Sequence, residues 1–339
     1  VLDAAARRRL GIPRVDTHEY ARENGWMIRA LARLEEVTGD SAALAAAVSA
    51  AEWVVAHRAL PGGGFSHDAS DKGGPFLDDT LSMGQAFLAL YRASGDRRWL
   101  QRARAALDYI VTTFRDARGG FVTAAAPPGA VGVFADPVRT IEQNAAVARF
   151  TNLLHRYTGD EHCREAALHA VKFLAAAVAG AEDLHADVLL ADRELANAPI
   201  HITIVGGKSD PEAQALHAAA LGFPAGYLQI DWWDRAEGPL PNPEVRYQSS
   251  SAPPLSPARR VPARSPFTSP ANSTGPSPPP CTSRRRAVSR PCLLRSDGSG
   301  RPGALSDNHL HRDRGCHRIS LLTEGRNEAT RLTVRFGSA

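Results

Sequence analysis

The chain has 339 residues, 40 basic and 36 acidic, with a formal net charge of +4 and a sequence pI near 9.0. That length holds one large domain or two of ordinary size. Four cysteines are too few for a disulfide framework, and the most apolar run, around Phe173 to Ala179, is too short to span a bilayer. The charge is unevenly divided. From Gln248 onward there are 15 Arg and 5 acidic residues, against 25 basic and 31 acidic before it. The basic pI therefore describes the tail and says little about what the rest binds. Val1 to Arg14 lacks the charged-then-apolar order of a signal peptide, so the expected setting is cytoplasmic and reducing.

Three stretches end alike, at Thr38-Gly39-Asp40, Ser94-Gly95-Asp96 and Thr158-Gly159-Asp160. Aligned on the glycine, Met27, Met83 and Val147 coincide, as do Leu34, Leu90 and Leu154, with Asn24, Thr80 and Asn144 fifteen residues upstream. Apolar residues recur at three- and four-residue spacing, which predicts a helix ending at each glycine. The glycine closes the helix in a left-handed conformation and the Asp opens the next. Second helices are predicted over Ala42 to Arg58, Arg98 to Phe114 and Cys163 to Ala179, each as an outer partner. Glycine-rich returns follow at Gly63-Gly64-Phe65 and Gly119-Gly120-Phe121, 56 residues apart like Gly39 and Gly95. Repeated helix pairs bury their faces by stacking. Their long polar-aromatic loops favour an α/α toroid over an open solenoid.

The pattern changes after the third pair. Ile200 to Val205 alternates and is β-branched, Ser209-Asp210-Pro211 starts a helix over Glu212 to Leu221, and Gly226 to Asp231 reads as a second strand. The expected organisation is helical hairpins over 1–185, a small strand–helix–strand unit over 186–247, and a tail over 248–339. The tail holds 12 of the 24 prolines and no Trp or Tyr, a composition that does not order itself. It reads either as a basic arm or as the product of a shifted reading frame in a GC-rich gene. Binding of nucleic acid is not expected, since the tail lacks interleaved aromatics.

The residues Asn24-Gly25-Trp26-Met27-Ile28, Phe76-Leu77-Asp78-Asp79, Asn144, and Ile202-Thr203-Ile204-Val205-Gly206 with Asp210-Pro211 occur in an order that resembles the family of spermatogenesis-associated thioredoxin-like proteins. The resemblance covers roughly residues 10–247. It implies a six-hairpin glycosidase-like toroid that elsewhere follows a thioredoxin-like domain with a Cys-x-x-Cys pair, which this sequence lacks. Only three helix pairs are visible, so the resemblance also implies an open apolar edge, covered by a further N-terminal segment or by self-association.

Starts of inner helices in such a toroid converge on a central cleft. Asp78, Asp79 and Glu23 are then candidates for general acid and base on a sugar. Asp16, His18, Asn24, Trp26, Phe76, Gln143 and Asn144 are candidates for holding it, with Trp26 and Phe76 able to stack on a sugar face. The competing reading makes Asn24, Thr80 and Asp79 plain helix caps with acidic first turns. His67 with Asp68 and Asp71 has no metal-ligand spacing, so no metal and no cofactor are expected. Gly206-Gly207-Lys208-Ser209 fails as a phosphate loop because Ile202 stands where a glycine is needed. Asp192-Arg193-Glu194 reads as a surface salt-bridge cluster, and His201 as a residue packed at the domain junction. The function expected is action on a carbohydrate in the cleft, or alternatively a non-catalytic scaffold for a partner protein.

Overall fold

A computed structural model describes residues 3–11, 16–70, 74–126, 129–179, 185–245 and 331–334. A short exposed helix, α1 (Ala4–Leu10), is capped by the Asp3 carboxylate and buries nothing. Three hairpins follow: α2 (Ala21–Thr38) with α3 (Ser41–Arg58), α4 (Leu77–Ser94) with α5 (Arg97–Phe114), and α6 (Ile141–Thr158) with α7 (Glu161–Val178). All six helices have 18 residues, and the glycines explain where the first of each pair stops. Gly39, Gly95 and Gly159 sit at φ of 73°, 67° and 67°, and each amide donates to the carbonyl four residues back. A side chain there would resist this left-handed backbone. Asp40, Asp96 and Asp160 then accept from the amides of Ala42, Arg98 and His162, which fixes the next helix start.

The inner helices begin earlier than the capping reading requires. Their N-cap residues are Tyr20, Phe76 and Thr140, and only Thr140 caps through its side chain. Asn24, Thr80, Asp79 and Asn144 lie inside the first turn, so they are not caps. Thr80 Oγ1 accepts from the Phe65 amide, and Asn144 Oδ1 accepts from the Phe121 amide. One repeated position thus pins each Gly-Gly-Phe return to the following inner helix. Both amide hydrogens of Asn144 are also spent on main-chain carbonyls, of Phe121 and Thr140.

Contacts between α2 and α4 keep one offset: Arg29 meets Gln85 and Glu36 meets Arg92, each pair 56 residues apart. A constant offset along two helices means that they run parallel and in register. They approach closely because position 25 is glycine. A Cβ there would lie 2.8 Å from the carbonyl carbon of Ser82. Helix α4 is the centre of the core, with Met83, Phe87 and Leu90 fully buried, and α5 turns Trp99, Ala103, Leu107 and Ile110 toward it. Each such large side chain contributes about 1.5–3 kcal/mol of hydrophobic stabilisation. On α2 the matching face is open: Met27 is 58 % and Leu34 46 % exposed, where Met83, Leu90, Val147 and Leu154 are at 0 %.

Beyond the hairpins come α8 (Ala186–Ala196), β1 (Ile200–Val205), α9 (Pro211–Leu221) and β2 (Leu228–Trp233), the last two residues later than the sequence suggests. Strands β1 and β2 pair in parallel around the α9 crossover. A third strand, β3 (Arg331–Val334), pairs in parallel on the other side of β1. The rest of the tail from Gln248 lies outside the described residues. The strand unit is fastened to the hairpins by buried polar bonds. The Tyr91 hydroxyl donates to Asp231 Oδ1 at 2.9 Å, the Ile230 amide donates to the Tyr157 hydroxyl at 3.3 Å, and His217 Nε2 bonds to the Arg92 carbonyl at 3.0 Å. His201 belongs to this junction, 2.8 Å from Asp231 Oδ2. The architecture is a partial toroid of helical hairpins with a small α/β unit. Among the described residues no helix is long and apolar enough to cross a membrane.

Candidate functional site

The inner helices, α8 and the residues entering β2 line a cavity of about 450 Å³, a size typical of small-ligand sites. Its polar residues fall into levels set by the repeat. Positions seven apart on a helix return to nearly the same face two turns on, about 10 Å along the axis. At the first level stand Asp78 and Glu142, with Trp26 beside them; at the second, Arg29, Gln85 and Arg149; at the third, Arg92, with Tyr157 nearby.

The first level is organised by Arg22. Its guanidinium bonds Glu23 Oε1 at 2.6 Å and lies 3.9 Å from Asp78 Oδ2, while its amide donates to Asp79 Oδ1 at 3.0 Å. The same guanidinium sits 5.0 Å from the centre of the half-exposed Trp26 ring. The other two levels hold charge pairs. Arg149 forms a bidentate pair with Glu194 at 2.9 and 2.8 Å, and Arg92 another with Glu36 at 2.6 and 2.8 Å. This corrects the sequence reading of Asp192-Arg193-Glu194 as a surface cluster. Glu194 is 7 % exposed and turns inward to Arg149, because α8 packs against α6.

Of the residues singled out from sequence, Asp78 and Trp26 line the cavity together, and Glu142 joins them. Asp79 does not line it, being one residue and so about 100° further round the helix. It is buried against the first glycine-rich return, 2.9 Å from His67 Nδ1. Burial raises its carboxyl above the ordinary range, offset in part by His67 and by the Arg22 amide. Glu23 and Gln143 occupy the same repeat position as Asp79. Each of the three has one buried oxygen with no hydrogen-bond partner among the described residues: Glu23 Oε2, Asp79 Oδ2 and Gln143 Oε1. Asn24 donates to the Tyr20 carbonyl at 2.8 Å, so like Asn144 it serves the backbone. Phe76 meets His67 edge-on at 5.9 Å and is not part of the cavity lining.

Asp16 and His18 form a separate exposed cluster. Asp16 accepts from the His18 amide, the His18 ring and the Tyr20 hydroxyl, and these bonds draw its carboxyl down to about 2. The Tyr20 ring stacks between His18 at 5.7 Å and His67 at 4.4 Å. Asp71 lies outside the described residues.

Sequence reasoning overlooked Arg29, Gln85, Arg149 and Tyr227. A signal existed for the first three, since all stand ten residues before a repeat glycine. Nothing local marked Tyr227, which reaches the wall through the α/β unit and bonds Asn152 at 2.8 Å.

No protein-family model and no curated protein matches the chain. Among solved structures, it is similar to a family 76 glycoside hydrolase (mannosidase) from Bacteroides thetaiotaomicron VPI-5482, at 14 % identity over 46 % of this chain and 44 % of that one, TM-score 0.40. It is similar to the α-1,6-mannanase of Salegentibacter sp. HEL1_6 at 18 % identity over 53 % and 52 %, TM-score 0.41. It is similar to cellobiose 2-epimerase from Spirochaeta thermophila DSM 6192 at 21 % identity over 49 % and 45 %, TM-score 0.42. The chain spans about half the length of these structures.

Proposed function

We propose that the cavity binds a carbohydrate and that the chain is part of a carbohydrate-active protein. The observation that carries this reading is that Trp26, Asp78 and Glu142 line one cavity. A sugar presents an apolar C–H face that an indole can cover and a rim of hydroxyls that carboxylates accept from. Asp78 and Glu142 hold the same repeat position on adjacent helices. Two carboxylates on one cleft wall are what acid–base work at a sugar carbon or a glycosidic bond requires. In this reading Asp78 faces the sugar, while Glu23 and Asp79 act behind it by holding Arg22. The test is a glycan screen of the whole chain by tryptophan fluorescence. A sugar-dependent change that disappears in Trp26→Ala, with turnover lost in Asp78→Asn, is the expected result. A saturable response that Trp26→Ala leaves unaltered would refute the assignment.

A second reading rests on a different observation, the open apolar stripe of α2. On α4 the equivalent positions are buried in the core beside α2. The stripe would therefore take a helix of a partner protein, and the chain would serve as a scaffold. Light scattering at increasing concentration, with and without Leu34→Glu, separates the readings: association that the variant abolishes favours the scaffold.

A further inference from the structure

At the second level of the cavity, Arg29 makes no salt bridge among the described residues. Arg149 is matched by Glu194 and Arg92 by Glu36, whereas Arg29 Nη1 donates to the neutral Gln85 amide oxygen at 2.6 Å. The charges acting on its guanidinium are those of Arg149 and Arg92, both repulsive. Arg29 is exposed along the cleft, and partial desolvation by the cavity wall together with this repulsion lowers its guanidinium from the ordinary value. The nearest repeat carboxylates, Asp78 and Glu142, stand seven residues before Gln85 and Arg149, about 10 Å along the axis. Asp187, the other acidic residue of the wall, acts on Arg149 and not on Arg29. Of the three arginines lining this cavity, Arg149 and Arg92 are paired with carboxylates.

We propose that Arg29, with Gln85 beside it, receives an anionic group of the ligand, so that the carbohydrate taken by the cleft is an acidic sugar bearing a carboxylate or a phosphate. The guanidinium fork matches either group in two parallel hydrogen bonds. Trp26, one helical turn before Arg29, and Asp78 and Glu142, about 10 Å along the axis, are left to the neutral part of the sugar. The proposal rests on the carbohydrate reading and adds a substrate class to it.

Calorimetric titration of the whole chain with glucuronate, glucose 6-phosphate, glucose and inorganic phosphate tests it, with Arg29→Gln and Arg29→Lys alongside. An acidic sugar is expected to bind about tenfold or more tightly than glucose. The preference should vanish in Arg29→Gln, survive in part in Arg29→Lys, and shrink with added salt. Preference for glucuronate assigns a carboxylate, and preference for glucose 6-phosphate a phosphate, with inorganic phosphate then competing. Glucose binding as tightly as both acidic sugars, or a preference that persists in folded Arg29→Gln, overturns the inference and leaves the carbohydrate reading standing. If none of the sugars binds, neutral or acidic, the carbohydrate reading falls and takes the inference with it. Melting temperatures of both variants verify folding, which the loss of a repelled charge should not impair.

Discussion

Helices α2 and α4 have the same length, the same glycine stop and shared apolar positions such as Met27 and Met83 or Leu34 and Leu90, yet one is the centre of the core and the other its edge. Thirteen residues of α4 are buried against five of α2, and at the shared positions Met27/Met83 and Leu34/Leu90 the difference comes from neighbours. Helix α4 lies between α2 and α6 with α5 behind it, whereas α2 packs mainly on α3 and α4, with a small contact to α9. The contrast teaches that a repeat fixes what each position is able to do, while its place in the row fixes whether it does so.

The largest effect should come from the apolar stripe. Leu90→Ala is expected to cost about 2–5 kcal/mol in urea unfolding, and Leu34→Ala about 0.5 kcal/mol or less. A comparable loss at both positions would show that the α2 face is covered in solution. Next come the arginines. Arg92→Gln should cost about 3 kcal/mol, less than for a fully isolated buried pair because Arg33 still reaches Glu36 at 2.8 Å. Arg29→Gln should leave the melting temperature level or raise it, since its charged neighbours repel it.

A smaller contrast lies at the clamps. Thr80→Ala strips the buried Phe65 amide of its acceptor and should cost about 1–2 kcal/mol. Asn24→Ala gives up only a bond to its own helix and should stay within about 0.5 kcal/mol. Smallest at neutral pH is Asp79→Asn, which keeps an acceptor for the Arg22 amide and His67. Its effect lies in pH dependence. The folded pKa is above the ordinary value of 3.8, so the folded form holds its proton longer than the unfolded chain does. Wild-type stability therefore falls as pH rises through that window, and Asp79→Asn should flatten the fall. Denaturation midpoints measured between pH 3 and 7 would check this, and identical slopes would contradict the raised pKa.

Much of the fold was legible in the sequence because its signals are local. The Gly-Asp pairs state where one helix stops and the next starts, and Asp210-Pro211 does the same for α9. The site was legible in part. Asp78 and Trp26 were named from their position before the repeat glycines, but so were Asp79, Asn144 and Phe76, which serve the backbone or the core. Glu194 was misread because a charged triplet on a short helix looks solvated until α6 is seen beside it.

By itself the sequence determined the hairpins, their period and their ends, since caps and apolar spacing act within a few residues of chain. Only the tertiary structure decided which polar residues look into the cavity. Neighbouring residues on a helix point about 100° apart. The rotation of each helix is set by its packing partners, such as Ser82 pressed on Gly25. That rotation turns Asp78 inward and Asp79 away. It also brings Arg29, Arg92 and Arg149 to one wall, although the chain itself spaces them widely.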